Sequence, residues 1–240
     1  MSRPTPYSDA TVPMRVAELW RYPVKSMAGE ALPSATIGPD GIVGDRAVYV
    51  LGPHGRIVTA RTRPRLLGHH ATVGPDGEPL VDGRPWRAAD VARDVAAAVG
   101  PGAMLVRATG LERFDILPLL VATDGAIAAL AADGRRLRPN IVIGGVPGMA
   151  ERGWEGGRLT IGDVVIDLGD LRQRCIMTTF DPDTLVQDTG VLRRINAEFG
   201  GRLALNSRVA HPGTIAVGDV VTFAAGSRRP EVGDPIHENH

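Results

Sequence analysis

Residues 41–60 read GIVGDRAVYVLGPHGRIVTA, and this stretch decides the class of fold. Strand-forming β-branched and aromatic residues dominate positions 41–51. The sequence Gly52-Pro53-His54-Gly55 is typical of a turn, and a second apolar run at residues 56–60 follows it directly. The stretch therefore predicts a strand over 41–51, a hairpin turn and a second strand, and hence a β-rich fold.

Residues on both sides of this hairpin continue the same pattern. Residues 14–21 alternate between apolar and polar side chains, which predicts a strand. Two further turn sequences are Pro75-Asp76-Gly77 and Asp82-Gly83, and the second closes a short predicted strand at 79–81. We therefore predict that residues 14–87 form a small antiparallel β subdomain.

The second half of the chain mixes helices with strands. Alanine-rich or N-capped segments predict helices at residues 88–99, 123–132 and 191–199. Apolar runs predict strands at residues 140–143, 158–161, 164–168 and 214–223. Residues 88–225 are expected to form a second domain. The polar stretch 226–240 has no periodicity and is expected to be a disordered tail.

The composition excludes several classes of function. The chain has 240 residues, 27 basic and 27 acidic, so its formal net charge is zero, and the arginines are scattered, which argues against nucleic-acid or membrane-surface binding. A single cysteine excludes an internal disulfide, a four-cysteine zinc site and a four-thiolate iron–sulfur cluster. The sequence shows neither a secretory signal nor a membrane-spanning run, so a cytoplasmic location is expected.

Cations recur at the edges of the predicted β elements. Lys25, the only lysine in the chain, stands beside Ser26 directly after the first strand, and Arg46 and Arg61 follow on later elements. Each of these arginines alone could be an ordinary solvated charge. Brought together in a small barrel, they could converge on a phosphate or a carboxylate.

The single cysteine, Cys175, is the second candidate. A lone cysteine is usually an inert core residue. Arg174 beside it favours the thiolate, and Thr178, Thr179 and Asp181 could supply hydrogen bonds to a polar cavity. A thiolate is a soft metal ligand, but one thiolate cannot hold a metal by itself. A metal at Cys175 would therefore arrive with its own ligands, inside an anionic cofactor that the cations bind.

A series of short motifs resembles the MOSC family in the form with an associated N-terminal barrel, as in the mitochondrial amidoxime-reducing component and its bacterial relatives. The resemblance covers about residues 14–223. The motifs are Tyr22-Pro-Val-Lys-Ser with Gly29, Gly44-Asp-Arg, Val58-Thr-Ala-Arg with Pro64-Arg-Leu, Arg138-Pro-Asn-Ile-Val-Ile, Ile161-Gly-Asp, Arg174-Cys-Ile-Met-Thr-Thr-Phe-Asp-Pro-Asp-Thr, and Pro212-Gly-Thr-Ile with Val217-Gly-Asp.

This resemblance implies an α+β, β-rich fold, in which a MOSC-type β-barrel with a few peripheral helices follows an N-terminal antiparallel β-barrel subdomain. It also implies a molybdenum cofactor, with Cys175 as catalytic residue and protein ligand to the metal. The residues matching family positions that hold the cofactor are Lys25, Ser26, Arg46, Arg138, Asn140 and Arg174.

The implied activity is reduction of a small N-hydroxylated substrate, whose oxygen passes to reduced molybdenum, with an external electron-donor protein as partner. Two departures weaken the substrate assignment: Asp115-Ile116-Leu117-Pro118 replaces a Thr-Ser pair, and Leu185-Val186-Gln187 replaces a common glycine. Two alternatives stay open. One is a cofactor carrier or sulfur-transfer protein that uses Cys175, and the other is pyridoxal phosphate bound to Lys25 as a Schiff base.

Overall fold

A computed structural model describes residues 13–226, in which the chain forms three α-helices and seventeen strands. The helices are α1 (Ala89–Val99), α2 (Asp124–Leu130) and α3 (Thr189–Phe199). The first strands are β1 (Arg15–Arg21), β2 (Glu30–Leu32), β3 (Ser34–Gly38), β4 (Gly41–Ile42), β5 (Val48–Leu51), β6 (Ile57–Val58), β7 (Ala71–Val73), β8 (Pro79–Val81) and β9 (Arg84–Pro85). The others are β10 (Met104–Arg107), β11 (Leu119–Thr123), β12 (Ile141–Gly144), β13 (Arg158–Ile161), β14 (Val164–Gln173), β15 (Arg202–His211), β16 (Gly213–Ala216) and β17 (Val221–Ala224).

The largest element is an eight-stranded mixed sheet in the order β17-β13-β14-β15-β11-β12-β1-β2. Its β11–β12 pair is parallel and the other pairs are antiparallel. Strand β1 pairs with β12 in a register that puts Leu19 opposite Ile141. A strand from the start of the chain is therefore built into the sheet of the second half.

Three smaller sheets complete the β structure, in the orders β10-β5-β6, β16-β3-β4 and β7-β8-β9. Two of them join distant segments, because β10 pairs with β5 and β16 pairs with β3. The β-rich α+β class predicted from the sequence is confirmed.

Two large hydrophobic clusters are supplied by different parts of the chain. One contains Leu19 and Ile37 together with Ile141 and Ile166, so early and late strands share it. The other contains Val48 and Leu66 with Val91 and Val95 of α1. Helix α1 and strand β10 therefore pack on the early strands. The boundary between 14–87 and 88–225 stays a prediction.

Two predicted strands are broken in the structure. The strand over 41–51 was wrong, because a turn at Gly44 and Arg46, both with positive φ, separates β4 from β5. The strand over 214–223 was also wrong. Gly218 turns the chain with a φ of 96°, and Asp219 Oδ2 accepts a hydrogen bond from Ala216 N at 2.7 Å. Apart from Gly226, the predicted tail lies outside the described residues.

The three predicted helices are present, although α2 is shorter than residues 123–132. The N-caps explain where two of them begin. Thr123 accepts a hydrogen bond from Ala126 N, and Asp188 accepts one from Gly190 N. Between residues 13 and 226, none of the helices has the length and apolar character needed to cross a membrane.

Candidate functional site

A cleft of about 410 Å³ opens between the early strands and the end of β14. Six arginines and Cys175 share its wall with a single carboxylate, that of Asp115. Its polar lining comprises Ser26, Arg46, Thr59, Arg61, Asp115, Arg136, Arg138, Asn140, Arg172, Gln173, Arg174 and Cys175. Such an excess of cations over anions fits an anionic ligand.

The first wall is the loop that follows β1. Its backbone is fixed because Lys25 N donates to Val48 O and Arg46 N donates to Tyr22 O, each at 2.8 Å. Ser26 is buried and has a left-handed backbone with a φ of 72°. This conformation is unfavourable for a side chain other than glycine, and such residues concentrate at functional sites.

Arg46 has the same left-handed conformation, with a φ of 49°. Its guanidinium contacts the buried Asp45 carboxylate, which also accepts a hydrogen bond from Tyr22 N at 2.7 Å. Asn140 Oδ1 accepts from Arg46 Nη1 at 3.4 Å and from Leu120 N at 3.1 Å. The buried Asn140 side chain thus links the backbone of β11 to Arg46 and orients the Arg46 guanidinium.

Arg138 lies at the end of a short 3₁₀ helix, Gly134–Leu137, again with a positive φ of 56°. Its guanidinium stacks on the Tyr22 ring, and no carboxylate of residues 13–226 pairs with it. Loss of solvation lowers the pKa of Arg138 to about 10. It therefore stays charged at neutral pH and needs an anion.

Arg174 follows β14 and reaches back to the same 3₁₀ helix, where its Nη2 donates to Leu137 O at 2.7 Å. Its Nε atom is buried and has no hydrogen-bond partner in the described part of the chain. Burial lowers the pKa of Arg174 to about 10 as well. A buried donor without an acceptor is costly, so this group also fits a bound anion.

Cys175 is half-buried at the cleft wall and begins a 3₁₀ helix, Ile176–Thr179. Arg61, Arg172 and Arg174 line the cleft together with it. A cysteine binds metals through its thiolate form.

The polar residues after Cys175 do not line the cleft. Thr178 Oγ1 donates to Cys175 O at 2.9 Å and Thr179 Oγ1 donates to Ile176 O at 2.7 Å, so both hydroxyls close the 3₁₀ helix. Asp181 pairs with Arg136 at 3.0 Å. The expectation that these three residues supply hydrogen bonds to the cavity was therefore wrong.

Asp115 binds cations from three separate elements. Its carboxylate lies 3.0 Å from Lys25 Nζ, 2.7 Å from Arg61 Nη2 and 3.0 Å from Arg172 Nη2. Burial opposes ionisation of this carboxyl group, but Lys25, Arg61 and Arg172 outweigh it and hold its pKa below the usual range. Lys25 is itself buried and does not line the cleft directly.

The cleft thus brings together Ser26, Arg46, Arg138, Asn140, Arg174 and Cys175, with Lys25 directly behind Asp115. Sequence reasoning missed Arg136 and Arg172 as cleft residues. The strand predicted over 164–168 ended too early to include Arg172, whereas β14 runs to Gln173 and brings Arg172 to the same cleft as Arg174. Nothing local to Asp115 indicated its three partners.

A metal at this site would need ligands beyond those of the protein. Within residues 13–226, no group of three or more His, Cys, Asp or Glu side chains is placed to hold a metal ion. The donors that are present fit an anionic cofactor that carries its own metal. They are one thiol and several arginines, including the buried Arg174 Nε.

Comparison with known proteins identifies relatives over most of the chain. The mitochondrial amidoxime-reducing component 1 of Mus musculus is 27% identical over 86% of this chain and 81% of its own length. The protein of that name from Homo sapiens is 26% identical over 86% and 82%. The crystal structure of the YUAD protein from Bacillus subtilis superimposes with a TM-score of 0.51, covering 90% of this chain and 98% of that one, at 13% identity. This last similarity concerns the fold alone.

Two family models match successive parts of the chain. The model for the MOSC N-terminal beta barrel domain matches residues 13–85, and the model for the MOSC domain matches residues 121–222. The chain therefore belongs to the MOSC-domain family, with an N-terminal MOSC barrel domain ahead of its MOSC domain.

Proposed function

We propose that this protein is a molybdenum-cofactor oxidoreductase that reduces N-hydroxylated compounds. The observation that carries the proposal is the cleft itself, which Cys175 lines together with six arginines. Two of these, Arg138 and Arg174, have buried groups for which residues 13–226 supply no anionic partner. The name of the relatives, amidoxime-reducing component, supports the choice of substrate class.

The residues that would hold the cofactor lie on the Tyr22 side of the cleft. Arg46 and Arg138 both contact the Tyr22 ring, at 5.3 and 4.2 Å from its centroid. Ser26 adds a hydroxyl, and Arg174 adds its Nε donor, which has no partner in the described residues. Lys25 adds a positive charge from behind the cleft wall. Asn140 would act mainly through Arg46, since its amide atoms already bind Arg46, Leu120 N and Trp20 O.

When bound, the molybdenum cofactor supplies a two-electron centre able to take an oxygen atom from an N–O bond. The protein's part would be to present Cys175 at the cleft wall as the ligand to the metal. Electrons would come from a separate donor protein. A cytoplasmic location also stays a prediction.

Pyridoxal phosphate is a poor alternative for Lys25. Lys25 Nζ lies 3.0 Å from the Asp115 carboxylate and donates to Glu112 O at 3.3 Å, so the amine is already engaged by the protein. Lys25 also lies behind the cleft wall and does not line it. The relatives give no support to this cofactor either.

The decisive experiment is metal analysis of protein purified from a host that makes molybdenum cofactor, with a known molybdoenzyme prepared in parallel. We expect molybdenum and pterin to be present in the wild type, and benzamidoxime to be reduced with an artificial electron donor. Absence of molybdenum from this protein, but not from the parallel enzyme, would overturn the proposal. Metal without reduction of any N-hydroxylated compound would favour the carrier or sulfur-transfer alternative.

A further inference from the structure

Four of the six arginines of the cleft form two groups. Arg46 and Arg138 contact Tyr22, whereas Arg61 and Arg172 are joined by Asp115. The second group has the accessible members, since the side chain of Arg61 is 43% exposed and that of Asp115 is 30% exposed, while Arg172, at 17%, is as buried as Arg46. A substrate that enters and leaves needs a partner it can reach from solvent, and Arg61 is such a partner.

The Asp115 group keeps a net positive charge. Three cations, those of Lys25, Arg61 and Arg172, surround one carboxylate. A guanidinium has five N–H donors. Within residues 13–226, Arg61 makes one hydrogen bond, to Asp115, and Arg172 makes two, to Asp115 and to Asn206 Oδ1 at 2.9 Å. Both arginines therefore retain donors in the fork geometry that binds a carboxylate.

This pair also lies where a substrate would react. Arg61 and Arg172 line the same cleft as Cys175, the proposed metal ligand. An apolar surface adjoins them, because Ile116 is 55% exposed at the cleft and Met177 lines it beyond Cys175. A ligand that satisfies both surfaces has an apolar body and an anionic group.

We infer that Arg61 and Arg172, positioned by Asp115, form a subsite for the carboxylate of an anionic N-hydroxylated substrate. This inference rests on the proposed function and restricts its substrates to anionic N-hydroxylated compounds. The two arginines would select among substrates, while the Tyr22 side of the cleft holds the cofactor. Asp115 is then a positioning residue, since it fixes both guanidinium groups from one carboxylate.

The test compares two substrates that differ only in charge, benzamidoxime and 4-carboxybenzamidoxime, with the loaded enzyme. We expect the wild type to have the lower KM for the carboxylated compound. Arg61→Gln and Arg172→Gln should each raise that KM about tenfold, because a charge-assisted hydrogen bond is lost, and should change the KM of benzamidoxime by less than about twofold. Arg193→Gln, on the exposed face of α3, is the matched control and should change neither.

Two further measurements separate this inference from the proposed function. Molybdenum and pterin contents of the variants should equal those of the wild type, and a fall in either would assign the arginines to the cofactor instead. Calorimetric titration of the purified proteins with 4-carboxybenzamidoxime reports binding even without turnover. Equal affinity of wild type and variants for this compound overturns the inference, whereas lack of turnover by the wild type with both compounds counts only against the proposed function.

Discussion

The Arg138 guanidinium lies 4.2 Å from the centroid of the Tyr22 ring, while the hydroxyl of that tyrosine is buried without a hydrogen-bond partner in the described residues. The ring, and not the hydroxyl, therefore supports the cation. The ring and the hydroxyl of Tyr22 therefore contribute separately, and substitution can remove the hydroxyl alone or both together.

Replacing Tyr22 by Phe should leave the protein as stable as the wild type at pH 7, to within about 1 kcal/mol, because no hydrogen bond is lost. Tyr22→Leu should be less stable, since it also removes the ring under Arg138 and leaves a packing defect. Urea unfolding of both variants measures this difference. A Phe variant as unstable as the Leu variant would show that the hydroxyl has an unrecognised partner.

The Tyr22 hydroxyl also predicts a loss of stability in alkali. Burial raises its pKa from 10.0 to about 12. The unfolded chain loses this proton at a lower pH than the folded protein, so the free energy of unfolding falls as the pH rises from about 10 towards 12, by at most about 1.4 kcal/mol per pH unit. Tyr22→Phe lacks this loss. The difference in unfolding free energy between variant and wild type should grow between pH 9 and pH 11, and a constant difference would contradict the assignment.

Cys175→Ala should lose molybdenum and activity while the fold survives. The side chain is half-buried, and the backbone of the 3₁₀ helix is held by bonds to Cys175 O that do not need the thiol. We expect a midpoint of thermal unfolding within a few degrees of the wild type in proteins purified without cofactor. Metal content is measured in parallel. Full metal content and turnover in this variant would contradict the assignment of Cys175 as the metal ligand.

Substitutions of Ser26 test whether its left-handed backbone conformation lowers the free energy of unfolding. Glycine tolerates a positive φ, so Ser26→Gly should keep or gain stability, by up to about 1 kcal/mol, while Ser26→Ala should show no such gain. Both variants lack the hydroxyl and should retain less cofactor. Comparing the two by urea unfolding isolates the backbone effect, and equal stability of both would argue against strain at this position.

The buried carboxyl group of Glu151, away from the cleft, predicts that the stability of the protein depends on pH. This carboxyl group is fully buried, and its oxygens accept hydrogen bonds from Thr123 Oγ1 at 2.8 Å and Ala204 N at 3.0 Å. Burial raises its pKa above 4.5, so the folded protein binds this proton more tightly than the unfolded chain does. Its contribution to stability is therefore largest below pH 4.5 and declines as the pH rises through the folded pKa.

Glu151→Gln removes the charge and keeps groups able to bond with Thr123 and Ala204. We expect this variant to match the wild type near pH 4 and to be the more stable protein near pH 7. The free energy of unfolding at several pH values checks this. A variant that is less stable than the wild type by the same amount at every pH would show that ionisation of Glu151 does not affect the stability.

Local signals predicted the fold well where one turn or cap decides the structure. The hairpin at 52–55 and the N-cap at Asp188 are examples, since each depends on residues adjacent in sequence. Strand β15 was missed. Its sequence, RLALNSRVAH, mixes buried polar residues with apolar ones, and only pairing with β11 and β14 fixes it as a strand.

The candidate site was predicted in part for a related reason. Lys25, Arg46, Arg138 and Cys175 stand in recognisable motifs. The Asp115 group does not, because Lys25, Arg61 and Arg172 reach this carboxylate from positions far apart in the chain. Such convergence depends on the sheet order, which the sequence alone does not show.

The pairing of β3 with β16, which puts Thr36 opposite Thr214, has a consequence for biosynthesis. Lys25 and Ser26 leave the ribosome early, whereas Cys175 and β16 follow much later. Until then, β1 and β3 lack their partners, β12 and β16, and expose strand edges. We therefore expect a nascent chain that needs protection from aggregation until β16 has been synthesised, and a cleft that is complete only after synthesis has passed Met177.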